Sequence, residues 1–76
     1  MGKLTSRPTG RVLAALKRAG WVPRKTGKGS RHHVLTNEDI PGIVTVPRHR
    51  VVKKGTLGQI IKAAGMTLDT FEELYR

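Results

Sequence analysis

The sequence predicts a single α+β domain over residues 1–76, ordered α-β-β-β-α-α, in which helices cover one face of a three-stranded antiparallel sheet. Apolar side chains recur at helical spacing at Val12, Leu13, Leu16 and Ala19, and again at Leu57, Ile60, Ile61 and Ala64. Between these stripes lies Ile43-Val44-Thr45-Val46, a run of β-branched residues that suits a pleated strand. Strands that follow one another through short turn-forming stretches pair antiparallel, and helices at both ends then leave the other face of the sheet, or its rim, open to a ligand.

Residues 1–8 read as a basic, frayed lead-in. The first helix occupies 9–19, where Pro8 and Thr9 suit its start and Gly20 its left-handed stop. A short strand follows at 21–25, and Pro23 places it at a sheet edge. Thr26-Gly27-Lys28-Gly29-Ser30 is a turn leading into a second strand at 31–35. A polar loop over 36–42 contains Pro41-Gly42, and the third strand at 43–46 ends at Pro47. After a basic connector at 48–55, Thr56 caps a second helix that stops at Gly65. The last helix spans 68–75, with Leu68, Phe71 and Leu74 inward and Asp69, Glu72 and Glu73 near its positive end. Arg18-Ala19-Gly20 and Ala63-Ala64-Gly65 look alike because both are helix exits, not because the chain repeats.

Composition narrows the function classes. Of 76 residues only 37% are hydrophobic and three are aromatic (Trp21, Phe71, Tyr75), too little to wall a deep apolar pocket for a large cofactor. Cysteine is absent, which removes disulfides, thiolate metal sites and a thiol nucleophile. No apolar stretch approaches the roughly 20 residues of a membrane span, so a cytoplasmic chain without membrane association is expected. Fifteen Lys+Arg against five Asp+Glu give a formal charge of +10, and residues 1–36 carry nine basic side chains and no acidic one. Such a field attracts polyanions, and the phosphate backbone of nucleic acid is the commonest of these.

The catalytic inventory comes down to His32, His33 and His49 among basic residues. The carboxylates fall in a turn or in the last helix, with no pair placed for metal-dependent nuclease work. Adjacent strand residues point to opposite faces, so His32 and His33 do not share one ion, and neither metal nor cofactor is expected. The turn at 26–30 lacks the strand–loop–helix setting and spacing of a nucleotide-binding loop, although its amides and Lys28 suit a phosphate contact. RNA, however, carries its own nucleophile in the 2′-hydroxyl. A histidine, with a pKa of about 6.5, can move the proton while Lys and Arg neutralise the phosphate. The alternative for His32 is an ordinary strand residue hydrogen-bonded to a neighbour.

Taken in order, Gly20-Trp21, Gly29-Ser30-Arg31-His32-His33-Val34-Leu35, Val46-Pro47-Arg48-His49, Lys54-Gly55-Thr56-Leu57 and Ala64-Gly65 resemble the HicA toxins of toxin–antitoxin pairs, over residues 9–74. The resemblance implies a fold like the double-stranded-RNA-binding domain, mRNA endonuclease activity, and neutralisation by a HicB-type antitoxin in a hetero-oligomer. It also implies one essential histidine in the second strand. The family commonly places histidine directly after Gly-Ser, where this chain has Arg31. The downstream frame of histidine, any residue, aliphatic, then aromatic or aliphatic fits His32 through Leu35 and favours His32 as catalytic, with His33 the alternative. The His49 of Val-Pro-x-His reads as structural or as an RNA contact, and Trp21 as core rather than a base-stacking platform.

The resulting expectation is a metal-independent mRNA endoribonuclease toxin. RNA would be held by Arg24, Lys25, Lys28, Gly29, Ser30, Arg31, Arg48, His49, Arg50, Lys53 and Lys54. The competing expectation is a binding module of the double-stranded-RNA or ribosome-associated type, without catalysis.

Overall fold

Punctuation by glycine and proline sets the ends of the helices. In the computed structural model, which describes residues 4–25 and 31–76, helix α1 spans Thr9–Arg18 directly after Pro8, whose fixed φ and missing N–H suit a helix start. At its other end Gly20 takes φ +95°, and the amides of Gly20 and Trp21 bond back to the carbonyls of Lys17 and Leu16. That pair of bonds is a Schellman stop. Helix α2, Lys54–Ala63, ends the same way: Gly65 at φ +74° donates to Lys62 and Met66 to Ile61. The likeness of the two phrases is therefore a shared cap. Helix α3, Leu68–Tyr75, starts on Thr67, whose hydroxyl oxygen accepts the Thr70 amide at 3.1 Å.

Strands β2 (Val22–Pro23), β3 (His32–Thr36) and β4 (Val44–Pro47) form one antiparallel sheet in that order, with β2 at an edge, where Pro23 is tolerated. The register sets His33 opposite Val46 and Leu35 opposite Val44. Leu35, Val44 and Val46 are buried, so this face meets the helices. By strand alternation His33 shares it, and His32 lies on the other face with Val34, Thr45 and Pro47.

The core is one cluster joining Val12, Ala15 and Leu16 of α1, Leu57, Ile60 and Ile61 of α2, Phe71 of α3, the inward sheet residues, and Trp21. Trp21 is packed inside it at 1% exposure, which removes it from any role as a stacking platform. The α+β architecture with a three-stranded antiparallel sheet is the one the sequence predicts.

Two local readings need correction. Arg7 and Pro8, read as part of a frayed lead-in, form a strand, β1 (Arg7–Pro8), antiparallel to β5 (Val51–Val52) within the basic connector. A long-range side-chain anchor holds β1: the Arg7 guanidinium pairs with Glu72 of α3 at 2.5 Å and lies over the Tyr75 ring, 4.6 Å from its centroid. Thr56, read as the cap of α2, lies inside its first turn. Lys53 is the N-cap and provides no side-chain cap bond. The turn at 26–30, with the expected phosphate contacts Lys28, Gly29 and Ser30, lies outside the described residues.

Candidate functional site

β4 and β5 are joined by a basic arch that is held from several sides. The Arg48 amide donates to the Arg31 carbonyl at 3.0 Å, continuing the β3–β4 ladder beyond Pro47. Thr9, buried at the start of α1, donates its hydroxyl to the His49 carbonyl, and its amide donates to the Arg50 carbonyl at 3.0 Å. Val51 and Val52 then pair with Pro8 and Arg7. With the backbone fixed in this way, the side chains of His49, Arg50 and Lys53 are exposed.

These three residues line a cavity of about 520 Å³ together with His32, Pro47 and Thr56. A second cavity of about 530 Å³ adjoins it, sharing His32, Pro47 and Thr56. Its other walls are Ile43 and Thr45 of the open sheet face, and Gln59, Ile60 and Ala63 of α2. His32 thus stands, exposed, where a basic cavity meets a nearly neutral groove. The first turn of α2 closes the junction. Its first backbone bond runs from Leu57 to Lys53, so the amides of Lys54, Gly55 and Thr56 precede the helical ladder, and no acidic residue occupies that turn. Such a terminus carries partial positive charge and suits an anionic oxygen.

Gly55 bears on the same point. A Cβ built there meets nothing within 4 Å, so packing does not demand glycine. Glycine inside a helix is about 0.5–1 kcal/mol less favourable than alanine. What it provides is an unshielded approach to the helix terminus.

His33 has a different environment. It is half-buried on the core face, and burial, helped by the Arg48 charge, lowers its pKa below the ordinary histidine value. Near neutral pH it is held uncharged, away from both cavities.

Of the residues expected to hold RNA, the structure gathers His49, Arg50 and Lys53 around His32. Lys54 lies exposed in the adjoining helical turn, and Arg48 at the foot of the arch. Arg24, Lys25 and Arg31 are exposed but line neither cavity. Thr45, Thr56, Gln59 and Ala63 were not legible as site residues. The one available signal was the spacing 56, 59, 63, which puts the three on one helical face beside the apolar stripe. Among the described residues no three His, Asp or Glu side chains gather as a metal-binding group. Nor is any described helix long and apolar enough to cross a membrane.

The family model for the HicA toxin of bacterial toxin–antitoxin systems matches residues 10–66, from the first turn of α1 past the end of α2. The chain belongs to the HicA toxin family. Membership makes it the toxin of a toxin–antitoxin pair, with an antitoxin as partner. No curated protein matches the chain. The HicA match contains His32, the basic arch and the whole groove, whereas β1 and α3 fall outside it.

Proposed function

We propose that this HicA-family toxin is an mRNA endoribonuclease in which His32 moves the proton and the RNA supplies the nucleophile. The observation that carries the reading is the position of His32: an exposed imidazole at the inner edge of a cavity lined by His49, Arg50 and Lys53. In this reading the scissile phosphate sits among those cations and the first-turn amides of α2. His32 removes the 2′-hydroxyl proton, the 2′-oxygen forms a bond to phosphorus, and the bond to the 5′-oxygen breaks. The leaving 5′-oxygen takes up a proton from water, so the products are a 2′,3′-cyclic phosphate and a 5′-hydroxyl. His32 acting instead as the acid for the leaving oxygen gives the same products, and the limb of the pH–rate profile removed by its substitution separates the two roles.

Lys54 and Arg48 extend the phosphate track along the arch. The antitoxin, of HicB type and acidic enough to match a toxin at +10, covers this track and competes with RNA for it. Action on translated mRNA places the protein in the cytoplasm.

The test is His32→Ala. It abolishes cleavage, with a fall of about 10²–10⁴-fold or more, while RNA affinity and thermal unfolding stay near wild type. A 2′-deoxy sugar at the scissile position resists cleavage, and a chelator leaves the rate unchanged. Full activity in His32→Ala with loss in His33→Ala transfers the role to His33. Full activity in both overturns the assignment of proton transfer to this strand, whereas a wild type that binds RNA without cutting it overturns the nuclease reading and leaves a binding module.

A further inference from the structure

Apart from His32, which it shares with the basic cavity, the groove contributes no residue to proton transfer or phosphate neutralisation. Its floor is the open sheet face, where Ile43 and Thr45 are exposed and Pro47 is half-buried. Its wall is the α2 face carrying Thr56, Gln59 and Ala63. Ile43, at 52% exposure, is the most exposed of the large apolar side chains among the described residues. His32 apart, no ionisable side chain lines the groove. Three uncharged polar side chains line it, Thr45 on the sheet side and Thr56 and Gln59 on α2, with Thr56 at the end shared with the basic cavity.

We infer that this groove is a nucleobase site, and that Gln59, with Thr45, reads the base on the 5′ side of the scissile phosphate. The inference rests on the nuclease reading for the place of the phosphate, but the argument for the base is separate. A base and the phosphate on its 3′ side are joined through one ribose. With the phosphate among Arg50 and Lys53, the ribose 2′-hydroxyl comes to the shared wall at His32 and the base continues into the groove. The surfaces match that ligand. A heteroaromatic ring has apolar faces for Ile43 and Pro47, and an edge of donors and acceptors for a primary amide that is both. Bases in single-stranded RNA are read on such edges after being splayed out of the stack. Ala63 completes the fit, because a longer side chain on that turn of α2 would fill the groove. An acidic peptide would have cations to meet only in the neighbouring cavity.

Titration of the full-length protein with the four nucleoside 3′-monophosphates, followed by amide NMR shifts, tests this directly. Each contains one base, one ribose and the phosphate of interest, and none is cleavable. Thr45 and Gln59 signals move with the mononucleotides but not with ribose 3-phosphate, which moves only Lys53, Lys54 and Gly55. The four bases differ in affinity by about fivefold or more, the discrimination of a good side-chain–base contact. Gln59→Ala narrows that spread to within about twofold. Gln59→Glu, an acceptor only when ionised, shifts preference toward bases with exocyclic amino groups. An unchanged spread in Gln59→Ala, or equal binding of ribose 3-phosphate and all four mononucleotides, overturns the inference. Failure of the wild type to cut RNA, with base discrimination and its loss in Gln59→Ala intact, removes the nuclease reading and leaves the base site standing.

Discussion

Replacing Arg7 with alanine removes a guanidinium that holds α3 in two ways. It pairs with Glu72 at 2.5 Å, both side chains being largely buried (12% and 23% exposed), and it lies 4.6 Å and 5.9 Å from the Tyr75 and Phe71 ring centroids. Hydrogen bonds to charged groups contribute about 1.5–3 kcal/mol and a cation–π contact about 0.5–1 kcal/mol. The two share one group and overlap, so the expected loss is about 2–3 kcal/mol. A 76-residue domain is stable by roughly 4–11 kcal/mol, so the loss is a large fraction of the whole. The midpoint of thermal unfolding should fall by about 10–20 °C. Removing one charge from a chain at +10 relieves self-repulsion, so the measured loss understates the pair's own contribution.

Urea unfolding followed by Trp21 fluorescence reads the effect, and a double-mutant cycle with Glu72→Gln isolates the pair. Acid supplies an independent readout. The hydrogen bond and charge of Arg7 lower the Glu72 pKa from its ordinary 4.5. A carboxylate lowered in the folded state contributes stability that is present above 4.5 and lost as pH falls through the depressed folded value. That acid-side loss should be weaker in Arg7→Ala. A loss below about 0.5 kcal/mol, with no coupling to Glu72 and an unchanged acid limb, would refute the view that this pair fastens α3.

Three further outcomes follow from the geometry. Gly55→Ala and Gly10→Ala both raise stability by about 0.4–1 kcal/mol, since a Cβ at either meets nothing within 4 Å, but only Gly55→Ala weakens RNA binding. Equal RNA affinity in the two would remove the approach to the α2 terminus from the site. RNA affinity falls steeply with salt, and Arg50→Ala with Lys53→Ala reduces the log–log slope by about 1.4, roughly 0.7 for each phosphate no longer neutralised on a single strand. An unchanged slope would exclude the arch from the phosphate track. His33, held neutral by burial, makes the fold lose stability as pH drops below the ordinary histidine value of 6.5, because the unfolded chain takes up a proton the folded one resists. His33→Gln should flatten stability against pH in that range while leaving cleavage largely intact.

The parts of the fold written in the sequence are those fixed by local chemistry. Gly20 and Gly65 stop helices because the chain needs positive φ within one residue of the last turn, and that need can be read without knowing what the helix packs on. The alternation that sends His32 and His33 to opposite faces is equally local. β1 and β5 were not legible, since strands of two residues have no period and their pairing joins segments far apart in the chain. The charge count misled in one respect. Arg7, Arg11 and Arg18 belong to the acid-free first half, yet all three engage α3 and the residue after it: Arg7 through Glu72, Arg11 over the Tyr75 ring, and Arg18 on the Leu74 and Arg76 carbonyls. Net charge does not show where it is spent. The groove is hidden from the sequence for the same reason as the β1–β5 pair, because Thr45 and Gln59 come together only when α2 lies along β4.

The ties that hold the arch bear on the thermodynamics of any encounter with RNA. A basic loop free in solution must be ordered as it closes on a phosphate, and that ordering subtracts from affinity. Here the backbone from Arg48 to Val52 is already bonded to the Arg31 carbonyl, to Thr9 and to β1 before a ligand arrives. Only side-chain rotamers remain to be frozen, at about 0.5–1.5 kcal/mol for each long side chain immobilised. Binding to the arch should therefore be preorganised. Loosening it with Thr9→Val, which keeps the side chain's shape and deletes its hydroxyl, would convert part of the binding free energy into chain ordering without touching a single cation.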